Sequence, residues 1–251
     1  MWRPASLAAA AQHVRVVGVA QDREEPCAQV GAGLILGPGF VDDLVGRLPC
    51  DRDRDDGVFR GFRLDGPQVP LAAALGAFAE HGYHGTSVRD IAARAQLSVP
   101  GLYHHYPSKQ SLLQGLLELT MLDLQQRCRQ AVAEAGPDPV DQFDAIVESL
   151  LRFHMFRQEQ AFIGSSEIRS IDDEYRATYV GYRDEVQRML DDIIVAGVDR
   201  GDFTTDSPKG AGRAIATMCV GVSTWYRDDG ELSADELIAQ NLHYARAIVG
   251  S

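Results

Sequence analysis

Between residues 70 and 110 the chain gathers most of the side chains that could do chemistry. Four of its seven histidines lie there (His81, His84, His104 and His105), with Arg89, Arg94 and Lys109 against only Glu80 and Asp90. His81 and His84 form an H-x-x-H pair, but they straddle Gly82 and lack acidic or thiol company at ligand spacing, so a turn suits them better than a metal site. Cys27, Cys50, Cys128 and Cys219 are scattered, with no C-x-x-C, and fit a reducing compartment better than a disulfide framework. No G-x-S-x-G, H-E-x-x-H or phosphate-loop pattern occurs. "GAGLILG" (31–37) lacks the glycine spacing of a dinucleotide site. No catalytic residue, metal or cofactor is expected. What remains is hydrogen-bonding chemistry: hydroxyls, imidazoles, a phenol and a few isolated cations, which suits phosphates and base edges.

Charge narrows the use of that chemistry. The formal charge is −12, divided as −2 over residues 1–69, +1 over 70–110 and −11 over 111–251. An acidic bulk excludes non-specific nucleic-acid binding by the whole surface, yet it leaves room for one locally positive face. No apolar run reaches membrane-spanning length, and "MWRPASLAAAAQ" is too weakly apolar for a signal peptide. A cytoplasmic protein without membrane contact is expected.

The elements that must hold these groups are helices. Residues 1–69 read as a poorly ordered or irregular extension with strand-like "VRVVGVA" (14–20) and a charge run "DRDRDD" (51–56). From there helical periods dominate. Leu71, Ala74, Leu75 and Phe78 make one apolar stripe, which Gly82 ends. Ser87 with Asp90 predicts a capped helix to about Ala95, and Ser98 caps another with Pro100 in its first turn. Ser108 opens a long helix to about Ala135, and Asp138-Pro139 opens the next. A helix begins near Asp172, another runs from "DSP" (206–208) to about Arg227, and Ser233 caps the last, to about Val249. The expected fold is all-α: a three-helix head over 70–115 and a helical body over 116–251.

Two short helices separated by "QLS" (96–98) have the dimensions of a helix-turn-helix, whose second helix enters a DNA major groove. An ordinary packed helical pair has the same dimensions. Likewise Tyr103 could be a core aromatic or a ligand of DNA, and Lys109 a solvated surface charge.

"FAEHGYHGTSVRDIAARAQLSVPGLYHHYPSKQSLL" (78–113) closely resembles the DNA-binding domain of TetR-type bacterial transcriptional regulators. The resemblance is strong over about residues 71 to 116 and architectural beyond. It implies that Ser87 binds a phosphate and that Arg89 reaches a base edge or phosphate. Ser98, Val99, Pro100 and Gly101 would form the exposed start of the recognition helix. Tyr103 and His104 would bond the sugar-phosphate backbone with His105 in support, and Lys109 would bind phosphate. The sequence departs from the pattern at Gln96, where the family usually has Gly, so a left-handed backbone there would be strained. Val99, Pro100 and Gly101 offer few hydrogen bonds to bases, which shifts readout toward Arg89, thymine methyl groups and DNA shape.

The same resemblance implies a homodimeric repressor released from a palindromic operator by a small molecule. Candidate effector-binding residues are Phe143, Phe153, Phe156, Phe162, Arg169, Tyr175, Tyr179 and Arg183, although many would equally suit a plain helical core. "FIGSSEIRSIDDEYRATYVGYRDEV" (162–186) is similar to members that respond to lipid-like or acyl-coenzyme A ligands. Arg169, Arg176 and Arg183 would meet anionic groups of such a ligand, or pair with acids at helix spacing. In the last two helices Gly212, Ala216, Gly221 and Ser223 are small, and Ile215, Met218, Cys219, Val222, Ile238, Leu242, Ala245, Ile248 and Val249 are apolar, a surface on which two protomers could pair. The rival readings are a helical interaction module, a ligand-independent DNA-binding protein and a hydrolase.

Overall fold

The computed structural model describes residues 68–251. The extension and its strand-like stretches lie outside the described residues, apart from its last two positions, which begin the first helix. That region holds Cys27 and Cys50 as well. Nine α-helices are found among the described residues. They are α1 (Gln68–Gly85), α2 (Val88–Arg94), α3 (Val99–His105), α4 (Lys109–Ala135), α5 (Pro139–Phe156), α6 (Gln158–Ser166), α7 (Asp173–Arg200), α8 (Pro208–Val222) and α9 (Ala234–Val249). A short 3-10 turn, Glu167–Arg169, joins α6 to α7. No strand occurs among the described residues.

Local signals set most boundaries. Ser87, Ser108 and Ser233 each complete a capping box, with Asp90, Ser111 and Glu236 returning the bond to the cap's own N–H. Asp138 and Asp172 cap α5 and α7 through their carboxylates. Two expectations need correction. The helix opened by "DSP" stops at Val222 rather than Arg227, because Ser223, Thr224 and Trp225 fold back in successive turns. The connection between α5 and α7 contains a separate helix, α6, which the periodicity did not show.

The stripe of α1 does what its spacing predicts: Leu71, Ala74, Leu75 and Phe78 are buried, and α2 packs Ile91 and Ala92 against them. Gly82 breaks the helical geometry at φ 71, ψ 166, a left-handed backbone that glycine adopts without a Cβ clash. Leu102 and Tyr106 tie α3 into the same core. α4 passes from head to body without a break, so the expected division at residue 115 falls inside a continuous helix.

The body centres on α5, which packs against α4, α7, α8 and α9, while α7 also packs along α4. α7 runs from the head junction, where Asp172 meets Gln114 of α4, to the far end, where Arg200 meets Asp138. At that far end Phe203 fills the space over Gly197, where no Cβ would fit, and stacks edge-on against Phe143.

Candidate nucleic-acid interface

The head presents its α2–α3 corner outward. Ser87, Arg89, Ser98, Pro100, Tyr103, His104 and His105 are exposed, while Val99 and Gly101 are half-buried. Tyr103 keeps 45% of its surface, which removes it from the core, whereas Tyr106, one turn on, keeps 1%. Ser98 Oγ accepts from Gly101 N–H at 3.1 Å, and a Cβ at Gly101 would meet that oxygen at 3.1 Å. Gly101 therefore leaves room for the cap.

The cations of the head are unequally free. Arg94 is spent on Glu80. Asp90 is closed onto Ser87, whose hydroxyl holds that carboxyl below the usual carboxylate range. Arg89 is exposed and has no hydrogen bond or ion pair among the described residues. His104 and His105 stack edge-to-face at 5.5 Å. Burial, then the neighbouring His104, lowers the pKa of His105, so it gains charge only below the ordinary imidazole range.

Lys109 is the least expected. Its ammonium donates to the carbonyls of Tyr83 (2.8 Å) and Thr86 (2.9 Å) and lies 4.3 Å above the Tyr83 ring. The side chain expected on a phosphate thus also fastens the turn between α1 and α2. Thr86, inside the matched stretch but given no role there, is buried, and its hydroxyl lies within hydrogen-bond distance of the Ala77 (2.9 Å) and Gly82 (2.8 Å) carbonyls. Gln96 stands at φ 56, the only non-glycine residue with positive φ among the described residues. The strain expected from the absent turn glycine is present, of order 1–2 kcal/mol.

The candidate effector residues separate into groups. Tyr175 and Tyr179 approach one another on α7, with hydroxyls on the carbonyls of Gln114 (3.3 Å) and Gly164 (3.0 Å). Phe153 is buried beside His154, Phe156 packs on Tyr226, and Phe143 lies at the far end against Phe203. Phe162, Arg169 and Arg183 are exposed. Arg176 takes the local alternative, bonding the Ile171 carbonyl and pairing with Asp173.

Sequence reasoning missed the buried acid Glu118. It accepts from Tyr182 Oη at 2.9 Å, while its other oxygen is buried with no partner among the described residues. Burial raises its pKa, partly offset by the Tyr182 bond. Tyr106 at the end of α3 and Tyr175 on α7 lie within its electrostatic reach. An acid in the middle of a long helix carries no local signal of burial, so only the packing reveals it.

The surface expected for pairing also needs correction. Ile215, Cys219, Val222, Ile238, Ala245 and Val249 are buried in their own protomer, and Gly212 lets α8 approach Gln187 and Asp191 of α7. The outward apolar groups of this region are Val220, Trp225, Leu232, Tyr244 and Ile248. Cys128 and Cys219 are buried and their thiols are pushed up to about 12 by burial, far from the thiolate state of a nucleophile. No group of three metal-ligating side chains occurs among the described residues, and none of the described helices is long and apolar enough to cross a membrane.

Comparison with known proteins agrees with the geometry of the head. The family described as bacterial regulatory proteins, tetR family, matches residues 71–116, and the tetracyclin repressor-like C-terminal domain matches residues 136–249. The chain is 30% identical over 179 residues to the HTH-type transcriptional repressor KstR2 of Mycobacterium tuberculosis, covering 70% of this chain and 88% of that protein. PfmR of Thermus thermophilus, a TetR family regulator, superposes with a TM-score of 0.64 at 28% identity over 74% of this chain and 98% of its own. AibR in complex with isovaleryl coenzyme A and operator DNA shares the fold, at TM-score 0.66, 20% identity, 71% of this chain and 96% of its own. A capped helix-turn-helix with an exposed polar corner, set on a helical body that matches the repressor's C-terminal domain, makes this chain a member of the TetR family of DNA-binding transcriptional regulators.

Proposed function

We propose that the protein is a homodimeric repressor that reads a palindromic operator and is released from it by a small-molecule effector of acyl-coenzyme A or lipid-like class. The observation that carries the DNA reading is the exposed set Ser87, Arg89, Tyr103 and His104 on one corner of the head. Tyr103 and His104 supply phosphate contacts, Ser87 adds one by exchanging its bond to Asp90 for a phosphate oxygen, Arg89 reaches a base edge or phosphate, and residues 98–101 face the bases. Lys109 approaches the phosphates from the start of α4 while holding the α1–α2 turn.

Pairing through α8 and α9 is supported by the outward Val220, Trp225, Tyr244 and Ile248. Two recognition helices would then stand about 34–36 Å apart, one turn of DNA. The effector reading is supported by the buried, open oxygen of Glu118 beside Tyr175 and Tyr182, since a buried polar atom without a partner is costly unless a ligand or water completes it. A coenzyme A ester or a lipid-like acid fits the class, with the exposed Arg169 and Arg183 near the same helices to meet anionic groups. AibR is similar in fold and is known with isovaleryl coenzyme A. Release would follow if the effector favours a body in which the two heads no longer match the half-sites.

Selection of duplex DNA from a random pool tests the whole reading. The expected product is a two-fold symmetric site retained at physiological salt and lost on adding an acyl-coenzyme A panel. Recovery of no preferred site would refute the operator, and a site indifferent to every acyl ester would refute that effector class.

A further inference from the structure

Tyr83 is gripped by every polar group it has. Its hydroxyl donates to Gln110 Oε1 (2.8 Å), its carbonyl accepts from Lys109 Nζ (2.8 Å), and its ring lies under that ammonium and against Phe78. These partners belong to the head or to the start of α4. Its backbone N–H differs: it donates to Glu167 Oε1 at 3.2 Å, an acceptor 84 residues away in the body. The break in helical geometry at Gly82, one residue earlier, opens this N–H to an acceptor from another element.

Glu167 is itself held. Its second oxygen accepts from Ser170 Oγ (2.7 Å), and the same hydroxyl lies 3.4 Å from His84 Nε2. Five residues beyond Glu167, Asp172 caps α7, and both its carboxylate oxygens accept from Gln114 Nε2 on α4 (3.0 Å each). The short connection between α6 and α7 is therefore pinned at one end to α1 and at the other to α4. Beside the continuous α4, the head meets the body where α1 packs on α6, and the bond to Glu167 fixes the angle of that packing off the axis of α4. Because the bond runs from a main-chain N–H to a carboxylate, it holds the backbone of the head rather than a flexible side chain.

We infer that Glu167 is a positioning residue for DNA recognition: through Tyr83 N–H it sets the angle of the head, and so the half-site separation that a pair of heads accepts. The inference rests on the homodimer reading above. It assigns specificity for spacing to a residue that does not touch DNA, and makes the α6–α7 connection the place where a shift of α6 against α7 reaches the head.

The test uses the full chain and duplexes carrying the half-site chosen by the wild-type protein, with the separation varied one base pair at a time. The wild type should prefer one separation sharply. Glu167→Ala should flatten that preference roughly tenfold, the scale of one charge-assisted hydrogen bond, while binding to an isolated half-site is unchanged. Glu167→Gln, whose amide oxygen still accepts from Tyr83 N–H, should keep it within about twofold. Gln114→Ala, which frees Asp172, gives an independent variant and should flatten it less. An alanine variant that folds, by circular dichroism, and keeps the wild-type preference overturns the inference while leaving the dimer reading intact. A wild type that binds half-sites at no fixed separation overturns both.

Discussion

Head and body are built from the same element, the capped helix, but they bury different kinds of polar group. In the head, polar side chains close onto nearby backbone: Thr86 on Ala77 and Gly82, Lys109 on Tyr83 and Thr86, Ser87, Ser98 and Ser108 on their own helix starts. The body buries acids in its interior. Glu118 keeps an open oxygen, and Asp123, beside Arg127, has its pKa raised by burial despite that partner. Side chains closed onto nearby backbone specify one local geometry, which suits a part that must match a fixed groove, although Gln68 Oε1 and Gln110 Nε2 in the head are also buried without partners among the described residues. The open oxygen of Glu118 raises the energy of the empty state and leaves something for the proposed effector to gain.

The contrast can be broken, starting with the largest effect. Phe143→Ala, at the far end of the body, should cost about 3–5 kcal/mol of stability, as for a fully buried aromatic. Measured by urea denaturation, that loss should leave the selected DNA sequence unchanged, and an altered sequence would show that the head does not read independently. Arg89→Ala or Tyr103→Ala should do the reverse: roughly tenfold weaker operator binding by fluorescence anisotropy, the scale of one lost base or phosphate contact, with the melting temperature held. A large drop in melting temperature for either would mean that the exposed corner is structural.

Gln96→Gly should raise stability by about 1 kcal/mol, because glycine adopts the positive φ without the side-chain clash. Its DNA preference should not change. The smallest effect concerns Glu118. Burial raises its folded pKa, so the folded protein holds a proton that the unfolded chain releases at the ordinary carboxylate pKa. The resulting stability is present below that unfolded value and is lost as pH rises through the folded one. Glu118→Gln does not titrate, and should gain on the wild type as pH increases across that window in denaturation midpoints. A constant difference across pH would mean that folding leaves the carboxyl's pKa unshifted.

Much of the head was legible in advance because its rules are short-range. Ser87 with Asp90 and Ser98 with Gly101 are partners three residues apart, and the "FAEHGYHGTSV" pattern is contiguous. The apolar stripe of α9 was legible too, but its destination was misread: a helical period marks a face that must be buried without saying by which neighbour. Ile238, Ala245 and Val249 proved to serve their own protomer. Similarly, Phe143 looked like its aromatic companions until the fold placed it beside Phe203.

The amino-acid order alone determined most of the helices and caps, α6 and the end of α8 excepted, with the break at Gly82 and the strained turn at Gln96, since each follows from backbone sterics and hydrogen bonds within a few residues. Tertiary structure decided the rest: that Lys109 fastens a turn, that Glu118 is buried with an oxygen open, and that Glu167 reaches Tyr83 across 84 residues. Such pairings depend on which surfaces meet after the chain has collapsed, and a charged residue on a helix has the same local pattern whether it ends in water or against another helix.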